Sequence, residues 1–144
     1  MVSALAEPYV AYPALALAGV IGARRGGWRQ AVVPCLVVAS GAASRRRLSR
    51  LIARQRPPAE AWLIEPEGFS LPSKHTTLAV LTVGAAARAV GVRGAPGHAA
   101  MALAAAGVGA SRICLGVHWP ADVLAGWLFA EGWLRLTESD DPIQ

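Results

Sequence analysis

Two histidines, two arginines and an aspartate stand in this chain at spacings that suit phosphoester chemistry. In Ser111-Arg112-Ile113-Cys114-Leu115-Gly116-Val117-His118-Trp119-Pro120-Ala121-Asp122, an arginine precedes a histidine and a carboxylate follows it four residues on. Pro72-Ser73-Lys74-His75 and Arg56-Pro57 lie upstream, also beside apolar segments. A phosphate ester is anionic and resists attack by a nucleophile. Its hydrolysis needs cations around the equatorial oxygens, an in-line nucleophile and an acid for the leaving oxygen. Guanidinium groups grip phosphate in bidentate fashion and keep their charge. Taken singly, each residue has a plainer explanation: a solvated loop charge for Arg56, a core histidine for His118, a helix-start acid for Asp122, an N-cap for Ser73. Their joint spacing favours chemistry.

The elements that must carry these residues are apolar spans. The chain has 144 residues, enough for one domain, and 54% of them are hydrophobic. Five spans are expected: about 8–23, 30–44, 75–92, 96–111 and 120–136. Several are shorter than the ~20 residues that cross a bilayer core. Ala/Gly-rich spans of this kind suit a tight bundle, with Gly84, Gly107, Gly109 and Gly126 at close approaches. The expectation is an all-α integral membrane helical bundle with about five transmembrane helices. Residues 1–47 would hold two helices, 48–74 a loop on the active face, 75–136 a three-helix catalytic core and 137–144 a polar, frayed tail. The loop is rich in proline and glutamate, with a short interfacial helix expected near 59–64 and Trp62 and Phe69 as headgroup anchors. Alternating spans bring Arg56, His75, Arg112 and His118 to one membrane face.

The net charge of +5 would suggest nucleic acid in a soluble protein. Here the arginines cluster beside apolar spans, in what read as short loops, and no basic stripe with exposed aromatics accompanies them. They are read as topology signals or a phosphate site, and nucleic acid is excluded. Cys35 and Cys114 have no metal-ligand spacing and are expected to be small buried thiols. His98 reads as a loop residue on the opposite face. The first residues lack the positive n-region of a cleavable signal peptide. Arg88 and Glu131 each fall thirteen residues after a motif histidine, and charge at that depth is costly unless paired, so an Arg88–Glu131 ion pair is expected.

Together the three segments resemble the signature of the type 2 phosphatidic acid phosphatase family, membrane phosphatases that share an active-site design with vanadium haloperoxidases. The resemblance covers 48–134. It implies His118 as nucleophile, Asp122 as the residue that orients it and His75 as the acid for the leaving group. It implies Arg56, Arg112, Ser73, Lys74 and Ser111 around the substrate phosphate, with no metal or other cofactor. Two positions depart from the family pattern. Ser49 stands where a lysine is usual, and Lys74 where the second motif has glycine, so Lys74 is read as restoring the missing cation. The implied function is metal-independent hydrolysis of a phosphate or pyrophosphate from a membrane lipid, through a phosphohistidine. A polyprenyl (pyro)phosphate or a prenyl-phosphoryl-sugar phosphate of the cell envelope leads among substrates, in a bacterial inner membrane. The side of the active face and a homo-oligomer stay open. The alternatives are a decayed lipid-phosphate-binding scaffold protein, a vanadate-dependent peroxidase and a transporter subunit.

Overall fold

The computed structural model describes residues 8–138; the expectations for the first seven residues and for the tail beyond 138 lie outside the described residues. Five helices follow one another: α1 (Pro8–Gly26), α2 (Trp28–Ile52), α3 (Lys74–Ala89), α4 (Ala95–Cys114) and α5 (Pro120–Leu136). A 3₁₀ turn over Ala59–Ala61 is the regular element in the long α2–α3 loop, where a slightly longer interfacial helix was expected.

Local chemistry sets the ends. Ser73 caps α3, its hydroxyl accepting from the Thr76 amide, which relieves one of the unpaired donors of a first turn. Pro96 and Pro120 open α4 and α5, where the missing N–H costs nothing. Gly27, with φ 80°, divides α1 from α2, and Gly94, with φ 67°, precedes α4; this backbone region disfavours any side chain.

α3 is the hub and packs against each of the other four helices. Its Val80, Leu81 and Ala85 meet Leu15 of α1, Val38 of α2, Met101 and Ala105 of α4, and Ala130 and Leu134 of α5. Small residues permit this crowding. A side chain at Gly84 would strike Met101 Sδ at 2.7 Å, and one at Gly126 would strike the Ser73 carbonyl at 3.0 Å. At the other end, a side chain at Gly22 of α1 would meet the Ala89 carbonyl of α3 at 2.8 Å. The α1–α2 connection and the α3–α4 connection therefore share one end of the bundle. The α2–α3 and α4–α5 connections share the other.

Four expectations need correction. His98 is not a loop residue: the helix opened by Pro96 takes it into the first turn of α4. Arg45, Arg46 and Arg47 are not loop residues; α2 runs on through them to Ile52. Arginine is a good helix former, and Arg45 turns inward to donate to the Pro72 carbonyl from both Nε (2.8 Å) and Nη2. The Arg88–Glu131 ion pair does not form. Arg88 donates to the Leu134 carbonyl (2.7 Å) and pairs with Glu138 (3.2 Å), since a cation is drawn to the carbonyl end of a neighbouring helix. Glu131 is satisfied along its own helix by Trp127 Nε1 (2.8 Å) and Arg135 (3.2 Å), the usual reach of i,i+4 pairs. Cys35 and Cys114 are both free and exposed, because their helices turn those positions away from α3.

The outward surface is apolar over much of its height. Leu17, Leu36, Leu103 and Leu128, from four helices, are all more than half exposed. No helix among the described residues is long and apolar enough to cross a membrane.

Candidate active site

The α2–α3 and α4–α5 connections are stitched together by backbone and side chain. Leu63 N–H donates to the Leu115 carbonyl (3.1 Å), and Ser73 N–H to the Asp122 carbonyl (3.0 Å). Trp119 Nε1 donates to the Gln55 carbonyl (3.3 Å). Gly116, with φ 71°, makes the turn before His118, and its Cα lies so close to the Ala61 carbonyl that a side chain would overlap it. The α2–α3 loop thus forms a wall against the short α4–α5 connection that presents His118.

Asp122 is fully buried in the first turn of α5. One carboxylate oxygen accepts from Arg54 Nη1 at 2.9 Å. The other accepts from the Trp119 amide at 2.9 Å and from the Ser70 hydroxyl, and lies 3.5 Å from His118 Nδ1. Ser70 is also fully buried, with its hydroxyl 3.5 Å from the same ring nitrogen. A buried carboxylate needs such a complete set of donors.

On the other side of the ring, Arg56 Nη1 lies 3.3 Å from His118 Nε2. Arginine can only donate, so Nε2 must present its lone pair and Nδ1 must carry the proton toward Asp122. Both contacts therefore select one tautomer. Burial of the ring, and then the charge of Arg56, push the His118 pKa down to about 4, against the pull of Asp122. The imidazole is neutral at neutral pH, with Nε2 facing the cations.

Arg56 is itself held hard. Nε donates to the Gly68 carbonyl (2.9 Å), Nη1 to Val117 (2.7 Å), and Nη2 to Glu67 (2.7 Å) and Phe69 (3.2 Å). With His118 Nε2 these acceptors occupy every donor of its fork. Burial, and then the charge of Arg112, lower the Arg56 pKa. Arg112 is buried in the last turn of α4. Two guanidinium groups whose charges act on one another favour an anion between them.

The remaining expected residues occupy less central places. His75 is half-buried in the first turn of α3. Ser73 is fully buried and serves as the helix cap. Ser111 donates from its hydroxyl to the Val108 carbonyl of its own helix (2.7 Å). Lys74 is exposed, with its Nζ 4.0 Å from a Glu67 carboxylate oxygen. Ser49 is buried on α2, and the inward cation on that face is Arg45, one turn earlier. Arg54 and Ser70, which the sequence did not single out as functional, contact Asp122 directly. Their one prior signal was polarity within a proline-rich loop. Among the described residues, no three His, Cys, Asp or Glu side chains gather as metal ligands.

No curated protein matches the chain significantly. Among solved structures, the crystal structure titled the first transmembrane PAP2 type phosphatidylglycerolphosphate phosphatase from Bacillus subtilis matches with a TM-score of 0.77. That match has 23% identity and covers 99% of this chain and 75% of that one, a likeness of fold. The family model described as PAP2 superfamily matches residues 30–139. That stretch takes in all of α2 but its first two residues, α3 to α5 and the connections between them, and by it the chain belongs to the PAP2 superfamily.

Proposed function

We propose that the chain is a membrane-embedded, metal-independent phosphatase that removes phosphate from a lipid. The observation that carries this reading is the state of His118: buried, neutral, its proton held toward Asp122 and its Nε2 lone pair turned toward the guanidinium cluster. This is the arrangement a nitrogen nucleophile needs. The substrate phosphate enters between Arg112 and Arg56, and a phosphate oxygen takes the place of His118 Nε2 on Arg56 Nη1. Nε2 attacks phosphorus and the P–O bond to the lipid breaks. His75 gives its proton to the leaving oxygen, and Asp122 stabilises the charge that develops on the His118 ring. Water then attacks the phosphohistidine, losing its proton to His75. The P–N bond breaks and inorganic phosphate leaves. Lys74, exposed on the rim, meets the headgroup as it arrives, and Arg45 supplies the interior cation that Ser49 does not.

The outward belt of Leu17, Leu36, Leu103 and Leu128 supports a place in a bilayer, since soluble monomers rarely keep large contiguous apolar patches. The likeness to a transmembrane phosphatase points the same way. A bacterial inner membrane and a polyprenyl (pyro)phosphate or prenyl-phosphoryl-sugar phosphate substrate complete the proposal.

The test is phosphate release in detergent, with EDTA present, from prenyl pyrophosphates, prenyl phosphates, phosphatidylglycerol phosphate and phosphatidic acid. Release that survives EDTA and disappears in His118→Ala supports the reading, and the fastest substrate names the class. A folded protein that releases phosphate from none of them favours a decayed lipid-phosphate-binding protein instead.

A further inference from the structure

One cavity among the described residues lies away from the His118 site. It has a volume of about 270 Å³ and opens at the other end of the bundle, between the end of α3, the start of α4 and the end of α5. Arg88, Arg93 and Arg135 line it, with Glu138 as the acid on its wall. Glu138 pairs with Arg88 and Glu131 with Arg135. Among the described residues no acid pairs with Arg93, so the cavity keeps an excess of positive charge. The start of α4 adds to it. Gly94 caps that helix without a side-chain bond; Pro96 has no N–H and the His98 N–H donates to the Gly94 carbonyl (3.1 Å), so Ala95 and Gly97 carry the first-turn amides that can face an anion. His98 donates from Nδ1 to the Gly94 carbonyl (2.8 Å), which turns Nε2 outward at the cavity wall.

α3 is sixteen residues long, so this cavity lies roughly 24 Å from the His118 site at ~1.5 Å per residue. In a membrane-embedded bundle, two sites so far apart along the helix axes face opposite leaflets. Basic cavities between helices at headgroup level take anionic lipid heads. The volume is just under the ~300 Å³ at which ligand clefts begin, which suits a headgroup and excludes a whole lipid. Glu138 already sets one carboxylate on Arg88, the kind of contact a phosphate oxygen makes.

We propose that this cavity is a second, non-catalytic site that binds the phosphate of an anionic lipid headgroup from the leaflet opposite the active site. The proposal rests on the membrane placement given above and is independent of the His118 chemistry. It is tested by native mass spectrometry of the detergent-purified full chain. His118→Ala serves as background so that no lipid is consumed. The chain is titrated with phosphatidylglycerol, phosphatidylcholine or inorganic phosphate, with and without Arg93→Gln/Arg135→Gln. A third sample, Arg24→Gln/Arg29→Gln, removes the same charge from the same end outside the cavity.

The proposal expects the cavity variant to lose phosphatidylglycerol binding at least tenfold, with phosphatidylcholine unaffected and the Arg24/Arg29 control unchanged. Equal losses in both double variants, or none in either, overturn it. Inorganic phosphate binding as tightly as the lipid overturns the lipid assignment. The same cavity substitutions in the otherwise native chain, assayed for phosphate release, check folding. If the native chain hydrolyses no lipid phosphate while binding still depends on Arg93 and Arg135, the phosphatase reading falls and this site stands.

Discussion

Asp122 gathers four donors around one buried carboxylate, and only one of them is the histidine it serves. Arg54 and Ser70 hold that carboxylate beside His118 Nδ1, so under the proposed mechanism they position the nucleophile without touching substrate. Arg54→Gln and Ser70→Ala are each expected to lower kcat by up to about 10²-fold, the cost of a small misplacement, with KM little changed. An equal fall in kcat/KM that comes wholly from KM would contradict this role. Asp122→Asn should cost more, on the order of 10⁴-fold in kcat, because it disturbs the tautomer itself. The sequence made His118, Asp122 and Arg112 legible because their spacing is local, and Arg56 because it stands in an Arg-Pro pair beside an apolar span. Arg54 and Ser70 were hidden because the fold of the long α2–α3 loop, not any periodicity, brings them to Asp122. Lys74, which the sequence offers in place of a lysine at position 49, is exposed, while the buried cation on that face of α2 is Arg45, which the helix carries inward past the expected span end. Arg45→Gln should therefore lower kcat/KM more than Lys74→Gly does, measured side by side.

The same residues set a pH dependence. The His118 pKa falls from an ordinary 6.5 to about 4 through burial and then the charge of Arg56. In the unfolded chain His118 takes up its proton near pH 6.5, and in the folded chain only near pH 4. The group's contribution to stability is whole above about 6.5 and declines as pH falls toward 4. Activity that depends on a neutral His118 should accordingly have its acid limb near pH 4. In Arg56→Gln that limb should move up toward 6.5 in the kcat/KM profile. An acid limb at 6.5 in the native protein, unmoved by the substitution, would contradict the geometry.

At the scale of elements, the proposed catalysis depends on how closely α3, α4 and α5 approach. Gly126 lets α5 lie against the capped start of α3, where Thr77 donates to its carbonyl at 3.2 Å. Gly109 lets Val123 of α5 reach α4, and Gly116 lets the nucleophile's turn pass the Ala61 carbonyl. Gly126→Ala is expected to cost about 1–3 kcal/mol as overpacking and to lower kcat, since it pushes Asp122 away from Ser73. Gly116→Ala should cost as much or more, because a left-handed backbone is added to the collision. Thermal unfolding in detergent checks both. The five helices were legible from apolar runs and proline starts, and α5 matched from end to end. α2 ran eight residues past its expected end, because an arginine run with one inward member prolongs a helix as readily as it stops one. Arg88 went to the C-terminal carbonyls of α5 and not to Glu131, since depth along a helix says nothing about which way a side chain turns.

For the whole molecule, the outward leucines separate two environments. Leu128 stands midway along α5 and is 61% exposed. In a soluble protein, Leu128→Arg would change stability within about 0.5 kcal/mol. Facing lipid it should cost about 3 kcal/mol of insertion, seen as a fall in the membrane-integrated fraction of expressed protein. Equal recovery of both forms from the soluble fraction would contradict the membrane placement. The hub role of α3 was not legible beforehand, because five Ala/Gly-rich spans can pack in many orders and only side-chain fit chooses among them.

The most direct test of the account is to trap the intermediate. The chain would be mixed with a lipid phosphate labelled in its phosphoryl group, quenched in alkali within the first turnover, and digested for mass spectrometry. The account predicts an acid-labile, alkali-stable phosphoryl group on His118, absent from His118→Ala and formed with EDTA present. Steady turnover with no phosphoryl-protein, persisting in His118→Ala, would contradict it.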